Sequence, residues 1–247
     1  MIAWPVLALG ACVGLCAGSF VTTAAIRAAR GEAFLVGRSH CDACGVTLGF
    51  AATAPVVGYV ATRGACAVCG GAIDRAHLFG EVAGAALLTG PFALLAWPQA
   101  ALVAGLGLVL LAAGVFDLKT QRLPNRLTAA SAALAAALAW THGGPSLVTG
   151  VIAAAVTVVL LQGLRLGYAR WRGETGLGFG DVKLLAGLAL WLGTATPWAV
   201  VAASTLGLAS MAVSPPKDRK LAFGPFIAAG AILVGVWKET PAWPLRP

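Results

Sequence analysis

The stretch "GLGFGDVKLLAGLALWLG", residues 176–193, places an acidic and a basic side chain, Asp181 and Lys183, at the start of an apolar segment. The segment forms most of a membrane-spanning helix, because about 20 apolar residues cross the ~30 Å hydrocarbon layer. An ionised carboxylate costs about 2.5–3.5 kcal/mol at a bilayer centre on insertion scales, and less near the surface. Asp181 therefore needs a partner or a function.

The composition of the whole chain is that of a membrane protein. Its 247 residues are 59% hydrophobic and 11% charged, with a mean hydropathy of +0.87, far above the balance of a soluble domain. We expect an all-α polytopic membrane protein of about eight transmembrane helices. The predicted segments lie near residues 2–26, 78–97, 100–117, 124–141, 147–168, 177–193, 195–214 and 221–238. The predicted domains are a first transmembrane helix at 1–26, a loop domain at 27–77 and a seven-helix membrane domain at 78–247.

The net charge of +8 is distributed as a topology signal. Alternate loops carry 14 of the 17 lysines and arginines, and the intervening loops around "WPQA", "THGGPS" and "GTATPW" carry none. Because basic loops stay on the cytoplasmic side, this pattern predicts that both termini lie on the opposite side. It also argues against a nucleic-acid partner, since the basic residues are spread over separate loops. The basic residues are Arg27, Arg30, Arg38, Arg63 and Arg75, then Lys119, Arg122 and Arg126, then Arg165, Arg170 and Arg172, and finally Lys217, Arg219 and Lys220.

The loop domain contains two C-x2-C pairs, in "HCDACG" and "RGACAVCGGAID", with 21 residues between them. Four thiolates at this spacing are typical of a tetrahedral Zn²⁺ site, so we expect a zinc-ribbon-like fold. A redox dithiol and two unligated thiol pairs are the alternatives, and a reducing cytoplasmic face disfavours structural disulfides. The four predicted ligands are Cys41, Cys44, Cys66 and Cys69.

A structural role for this metal is favoured over a catalytic one. Four cysteines leave no open coordination position for water, and metal binding folds loops that are too small to form a core of their own. His40 and His77 flank the cysteines, and we expect neither to be a ligand.

A second intramembrane acid, Asp117, lies in "FDLKTQRLPN" at the end of the third predicted helix. Alternation of the helices brings it to the same membrane depth as Asp181, 64 residues later in the sequence. Either acid alone is explained equally well by an ion pair, Asp181 with Lys183, or Asp117 with Lys119 or Arg122.

Together the two carboxylates indicate more than ion pairing. Two neighbouring carboxyl groups cannot both ionise readily, so they share a proton and divide the roles of general base and general acid. That division is what aspartic peptide hydrolysis requires. The glycines that precede Asp181 would let a substrate backbone approach closely, and Pro124 with Asn125 predicts a stiff turn opening the fourth helix.

Four motifs in order extend this interpretation. "GSF" at 18–20, the paired C-x2-C, the Asp of "FDLKTQRLPN" with "GFGDVK", and "FGPFIAAG" at 223–230 together resemble a type IV prepilin peptidase, of the GxGD class of membrane aspartic proteases. The resemblance covers nearly the whole chain.

The resemblance implies removal of the short basic leader from type IV prepilins or pseudopilins at the cytoplasmic face of the bacterial inner membrane. The catalytic aspartates of the family fall on Asp117 and Asp181, and its cytoplasmic cysteines on the four named above. Many members also methylate the new N-terminal amine with S-adenosylmethionine, an activity associated with the cysteine loop.

Other hypotheses remain open from the residues alone. Asp117 and Asp181 could be relay carboxylates of an ion- or proton-coupled transporter. Alternatively, the C-x2-C pairs could be the reactive thiols of a membrane oxidoreductase. Glu81 either pairs with a loop base such as Arg75, which we favour, or lines the methyl-transfer site. Lys183 points away from Asp181 on a helix, towards lipid phosphate or a substrate carboxylate.

Overall fold

The computed structural model describes residues 4–33, 37–174, 176–214, 221–240 and 243. Within these ranges the fold is all-α, as predicted, with two isolated β-bridges in the cysteine loop and no strand. A 3₁₀ turn at Gly193–Ala195 joins the seventh and eighth helices. The α-helices are α1 Trp4–Ala29, α2 Val57–Ala61, α3 Arg75–Leu94, α4 Gln99–Thr120, α5 Asn125–Thr141, α6 Gly144–Arg172, α7 Phe179–Leu192, α8 Thr196–Val213 and α9 Gly224–Glu239.

Each of the eight predicted segments overlaps one of the longer helices, although several helix ends differ from the predicted bounds by a few residues, and α2 is a short turn inside the loop domain. Among the described residues, five helical stretches are long and apolar enough to cross a membrane: Trp4–Ala29, Arg75–Leu94, Gln99–Thr120, Ser146–Arg172 and Phe179–Val213. The last of these combines α7 and α8, while α5 and α9 have 17 and 16 residues. The number of separate spans therefore stays a prediction. The predicted basic loop of Lys217, Arg219 and Lys220 lies outside the described residues.

The chain forms two compact units, Met1–Ala93 and Leu94–Pro247. In the first, the N-terminal unit, α1 and α3 pack through glycines. A Cβ atom at Gly18 would lie 2.2 Å from the carbonyl oxygen of Gly80, which is closer than any side chain allows. Small residues permit this approach of two backbones, and such contacts are a main source of helix association in lipid.

The second, the C-terminal unit, is a bundle of α4 to α9 in which α7 is the most deeply buried helix. Helices α5, α6 and α9 all pack against α7. At the end of α7 the buried indole of Trp191 donates a hydrogen bond of 2.8 Å from Nε1 to Glu239 Oε1, and the other oxygen of Glu239 lies 3.0 Å from His142 Nε2. This polar cluster joins the last turns of α5, α7 and α9. The opposite end of α7 carries Asp181.

Candidate active site and metal centre

Asp181 lies in the first turn of α7, three residues after the N-cap Gly178. Gly178 is extended, with φ −68° and ψ 141°, and the carboxylate folds back against it: a Cβ at this glycine would lie 2.9 Å from Asp181 Oδ2. Unpaired amide groups give a helix N-terminus a partial positive charge. The first turn of α7 therefore stabilises a carboxylate at this position.

Asp117 lies in the last turn of α4, where the helix dipole disfavours a negative charge, and its side chain is buried at 5% exposure. Its Oδ2 accepts a hydrogen bond of 2.9 Å from the backbone N–H of Gly224, the first residue of α9. The positive end of α9 thus offsets the negative end of α4.

The sequence does not indicate that Gly224 contacts Asp117, although this glycine lies in the "FGPFIAAG" motif. A Cβ at this position would lie 2.8 Å from Asp117 Oδ2 and 3.2 Å from its Cβ and Cγ. Proline in the first turn of α9 was the available signal, because proline marks helix starts, where amide groups are free. That signal does not say which acceptor the Gly224 amide finds.

The segment that follows α4 packs against the start of α7. A Cβ at Gly180 would be 3.0 Å from Leu123 Cβ, and Lys183 Nζ donates a hydrogen bond to Asn125 Oδ1 at the start of α5. The turn predicted at Pro124 is present, because α5 begins at Asn125 directly after an extended Pro124. These contacts hold the α4–α5 turn on the first turn of α7.

The two predicted carboxylates are consequently at the same end of the C-terminal unit. In the part of the chain that the structure describes, neither pairs with a lysine or arginine. Lys183 binds Asn125 and also lies 5.2 Å from the ring centre of Phe179. The ion-pair explanation of the two acids is therefore wrong for this part of the chain.

The four predicted cysteine ligands form one cluster, whose sulfur atoms all lie within 4.8 Å of one another. Cys41 Sγ and Cys69 Sγ are 3.8 Å apart. A tetrahedron with Zn–S bonds of about 2.3 Å has edges of about 3.8 Å, so this pair already has the spacing of two zinc ligands. The cluster could hold a metal ion, and it contains neither His40 nor His77.

Both cysteine pairs lie on the same type of backbone turn. Gly45 and Gly70 follow the pairs with φ of 72° and 70°, a left-handed conformation that favours glycine. The amides of Ala43 and Gly71 donate to Cys41 Sγ and Cys69 Sγ, each at 3.4 Å. These hydrogen bonds fix the positions of the two sulfur atoms within their turns.

The third intramembrane acid, Glu81, does not form the expected ion pair with Arg75. Its side chain is buried in the N-terminal unit at 7% exposure. One carboxylate oxygen accepts a hydrogen bond of 2.8 Å from Ser19 Oγ, and the other accepts one of 2.7 Å from the backbone N–H of Val56. Both donors are neutral.

Comparison with known proteins assigns the two units to one family. Residues 12–97 match the bacterial peptidase A24 N-terminal domain, and residues 104–212 match the type IV leader peptidase family. A prepilin leader peptidase/N-methyltransferase of Neisseria gonorrhoeae is 31% identical over 222 residues, which cover 85% of this chain and 76% of that protein. This chain belongs to the type IV leader peptidase family.

Two other relatives illustrate how this leader peptidase family member compares in length. A prepilin leader peptidase/N-methyltransferase of Burkholderia pseudomallei (strain K96243) is 38% identical over 204 residues, which cover 79% of this chain and 65% of that protein. A type 4 prepilin-like proteins leader peptide-processing enzyme of Escherichia coli O78:H11 is 30% identical, with coverages of 79% and 74%. This chain thus spans less than two thirds of the length of the Burkholderia relative. No solved structure matches it.

Proposed function

We propose that this protein is an aspartic endopeptidase that removes the leader peptide from type IV prepilins or pseudopilins, with Asp117 and Asp181 as its catalytic pair. The observation that carries the proposal is the placement of both carboxylates at one end of the C-terminal unit, each against a helix N-terminus. Both lie in residues 104–212, the range that matches the leader peptidase family. The relatives are named as prepilin-processing enzymes, which favours this function over a proton or ion relay.

In the proposed mechanism the pair shares one proton. The ionised carboxylate takes a proton from water, the resulting hydroxide attacks the scissile carbonyl carbon, and the protonated carboxyl group gives its proton to the departing amine. The amide of Gly224 fixes the orientation of Asp117, and the folded-back position against Gly178 fixes Asp181. Because two helix N-termini face the site, they also stabilise negative charge as it develops on the substrate oxygen.

The proposed location is the bacterial inner membrane, crossed several times, with the basic loops and the cysteine loop in the cytoplasm and both termini in the periplasm. The excess of lysine and arginine on alternate loops supports this orientation. A prepilin is itself partly apolar, so its helix would enter from the bilayer while the leader and the scissile bond reach Asp117 and Asp181 at the cytoplasmic surface.

We further propose a structural Zn²⁺ on the four cysteines, which would fold the loop and leave no coordination position for catalysis. The names of the relatives also support a second activity, N-methylation of the newly exposed amine. S-adenosylmethionine would supply the methyl group for that activity.

Replacing each aspartate separately by asparagine, Asp117→Asn and Asp181→Asn, tests the peptidase. We expect either variant to lose leader cleavage of a purified prepilin by at least about 10³-fold, as expected for loss of a general acid or base together with the shared proton. The control is Asp42→Asn, which removes a carboxylate from the cysteine loop and should cleave at the normal rate. Near-normal cleavage by either active-site variant at normal expression would refute the catalytic pair.

A further inference from the structure

Arg165 is a positively charged residue of α6 for which the proposed peptidase mechanism gives no role. It lies seven residues before the last residue of the helix, Arg172, a distance of about 10 Å or two turns. This part of α6 belongs to a stretch that is apolar enough to cross a membrane, where an ionisable side chain is costly and commonly functional. In the part of the chain that the structure describes, the half-buried guanidinium has no carboxylate partner. Its neutral contacts therefore indicate what it does.

The chain that leads into α7 runs back along the last turns of α6. A Cβ at Gly176 would lie 3.0 Å from Tyr168 Cε1, so the absence of a side chain lets this backbone lie against the tyrosine ring. One residue later, Arg165 Nε donates a hydrogen bond of 3.2 Å to the carbonyl oxygen of Leu177. The guanidinium carbon also lies 5.7 Å from the ring centre of Phe179, the first residue of α7, within the range of a cation–π contact. Arg165 thus holds the chain on both sides of the helix start.

The peptide bond that Arg165 holds is the one that leads to Asp181. The carbonyl of Leu177 belongs to the peptide that joins this residue to Gly178, the N-cap of α7. The carbonyl oxygen of Gly178 accepts a hydrogen bond of 3.2 Å from the backbone N–H of Asp181, and a Cβ at Gly178 would lie 2.9 Å from Asp181 Oδ2. Both the backbone and the side chain of Asp181 therefore contact Gly178. A rotation of the peptide before Gly178 would move the carboxylate.

We propose that Arg165 is a positioning residue of the peptidase, which fixes the peptide before Gly178 and thereby the orientation of the Asp181 carboxylate. This inference rests on the proposed function, in which Asp181 is a catalytic residue. The positive charge alone does not explain the contacts of Arg165. A planar guanidinium joins a hydrogen-bond donor of fixed direction to a flat face that stacks on the Phe179 ring, and the ammonium group of a lysine has neither.

The first measurement is the kinetics of leader removal from a purified prepilin by the full-length protein in detergent. Arg165→Lys keeps the charge and loses the planar group. We expect its kcat to fall about tenfold while KM stays within about threefold, because a displaced Asp181 slows the chemical step after the substrate has bound. Arg165→Met, which also removes the donor, should lose at least as much. The matched control is Arg172→Lys, since Arg172 lies on the same helix and covers the ring of Trp171 at 4.7 Å; it should cleave at the normal rate.

The second measurement reports the position of the chain before Asp181 without any turnover. Hydrogen–deuterium exchange is followed by mass spectrometry for the amides of residues 176–182, with the melting temperature measured in parallel. Arg165→Lys should speed exchange in this segment, because the peptide before Gly178 loses its hydrogen bond from α6. Exchange at the end of α4, which carries Asp117, should stay as in the wild type.

A rise in KM at unchanged kcat in Arg165→Lys would overturn the inference, because it would make Arg165 a substrate-binding residue. An equal loss in Arg172→Lys would overturn it too, and so would a fall in kcat without faster exchange at residues 176–182. If Arg165→Met does not fold, Arg165→Lys decides alone. Equal cleavage by the wild type and Arg165→Lys would end this inference and leave the peptidase proposal standing. Near-normal cleavage by Asp181→Asn would instead refute the catalytic pair, and this inference with it.

Discussion

Adding a single methyl group at Gly224 should slow leader cleavage without replacing either of the proposed catalytic residues. The Cβ of Gly224→Ala would lie 2.8 Å from Asp117 Oδ2 and 3.2 Å from the Asp117 Cβ and Cγ atoms. Ordinary contacts begin at 3.4 Å, so the carboxylate oxygen must move by about 0.6 Å, and the Asp117 Cβ, which is fixed to the backbone, by about 0.2 Å. The hydrogen bond from the Gly224 amide would be lengthened or tilted as a result.

The expected size follows from the displacement. A misplacement of about 1 Å at a reacting group costs about 10²-fold in rate, so a shift of 0.6 Å should cost about tenfold, or about 1.4 kcal/mol of transition-state stabilisation. Overpacking adds a stability loss of about 1–3 kcal/mol, which lowers the melting temperature without unfolding the protein.

The assay is the initial rate of leader removal from a purified prepilin, with the protein in detergent and its folded fraction measured in parallel. The matched control is Gly105→Ala on the same helix as Asp117, where a Cβ would meet nothing within 4 Å. It should cleave at the normal rate. A normal rate in Gly224→Ala, or an equal loss in Gly105→Ala, would show that Gly224 does not position the carboxylate.

Two further predictions concern other parts of the chain. Cys41→Ser should lose the proposed zinc, measured by elemental analysis, and should expose the loop to proteolysis, because folding of small zinc modules depends on about 10–16 kcal/mol of metal binding. Cys12→Ser in α1 should retain the metal, and zinc that persists in Cys41→Ser would contradict the assignment. Gly235→Ala should lower the melting temperature through a clash with Trp191, whose ring atoms would lie 2.0–2.6 Å from the new Cβ. Such overpacking costs about 1–3 kcal/mol or more of folding stability. An unchanged melting temperature would show that this core relaxes without strain.

The helical segments and the position of both aspartates could be predicted because each leaves a direct mark on the sequence. Long apolar stretches mark the helices, and the alternation of basic loops predicts that the end of α4 and the start of α7 lie on the same side of the membrane. The C-x2-C spacing likewise predicts the cysteine cluster that the structure forms. Each of these signals comes from side chains that can be recognised directly in the sequence.

The partners of the buried acids could not be predicted for the same reason. Asp117 is bound by an amide 107 residues away, and a backbone donor leaves no mark on the sequence. Glu81 and Arg75 are close in sequence, but six residues apart on α3 they point to different sides of the helix. Asp181 and Lys183 are two residues apart on α7, so that the lysine reaches α5 and not the carboxylate. Nearness along the chain is a poor guide to ion pairs inside a helix bundle.

The central claim is that Asp117 and Asp181 act together on one water molecule, and a double-mutant cycle tests it most directly. Cleavage rates would be measured for Asp117→Asn, Asp181→Asn and the variant carrying both changes. Groups that work as one unit are strongly non-additive, so the double variant should be no slower than the slower single variant. Losses that multiply, so that the double variant falls by the product of the two single losses, would show that the carboxylates act independently.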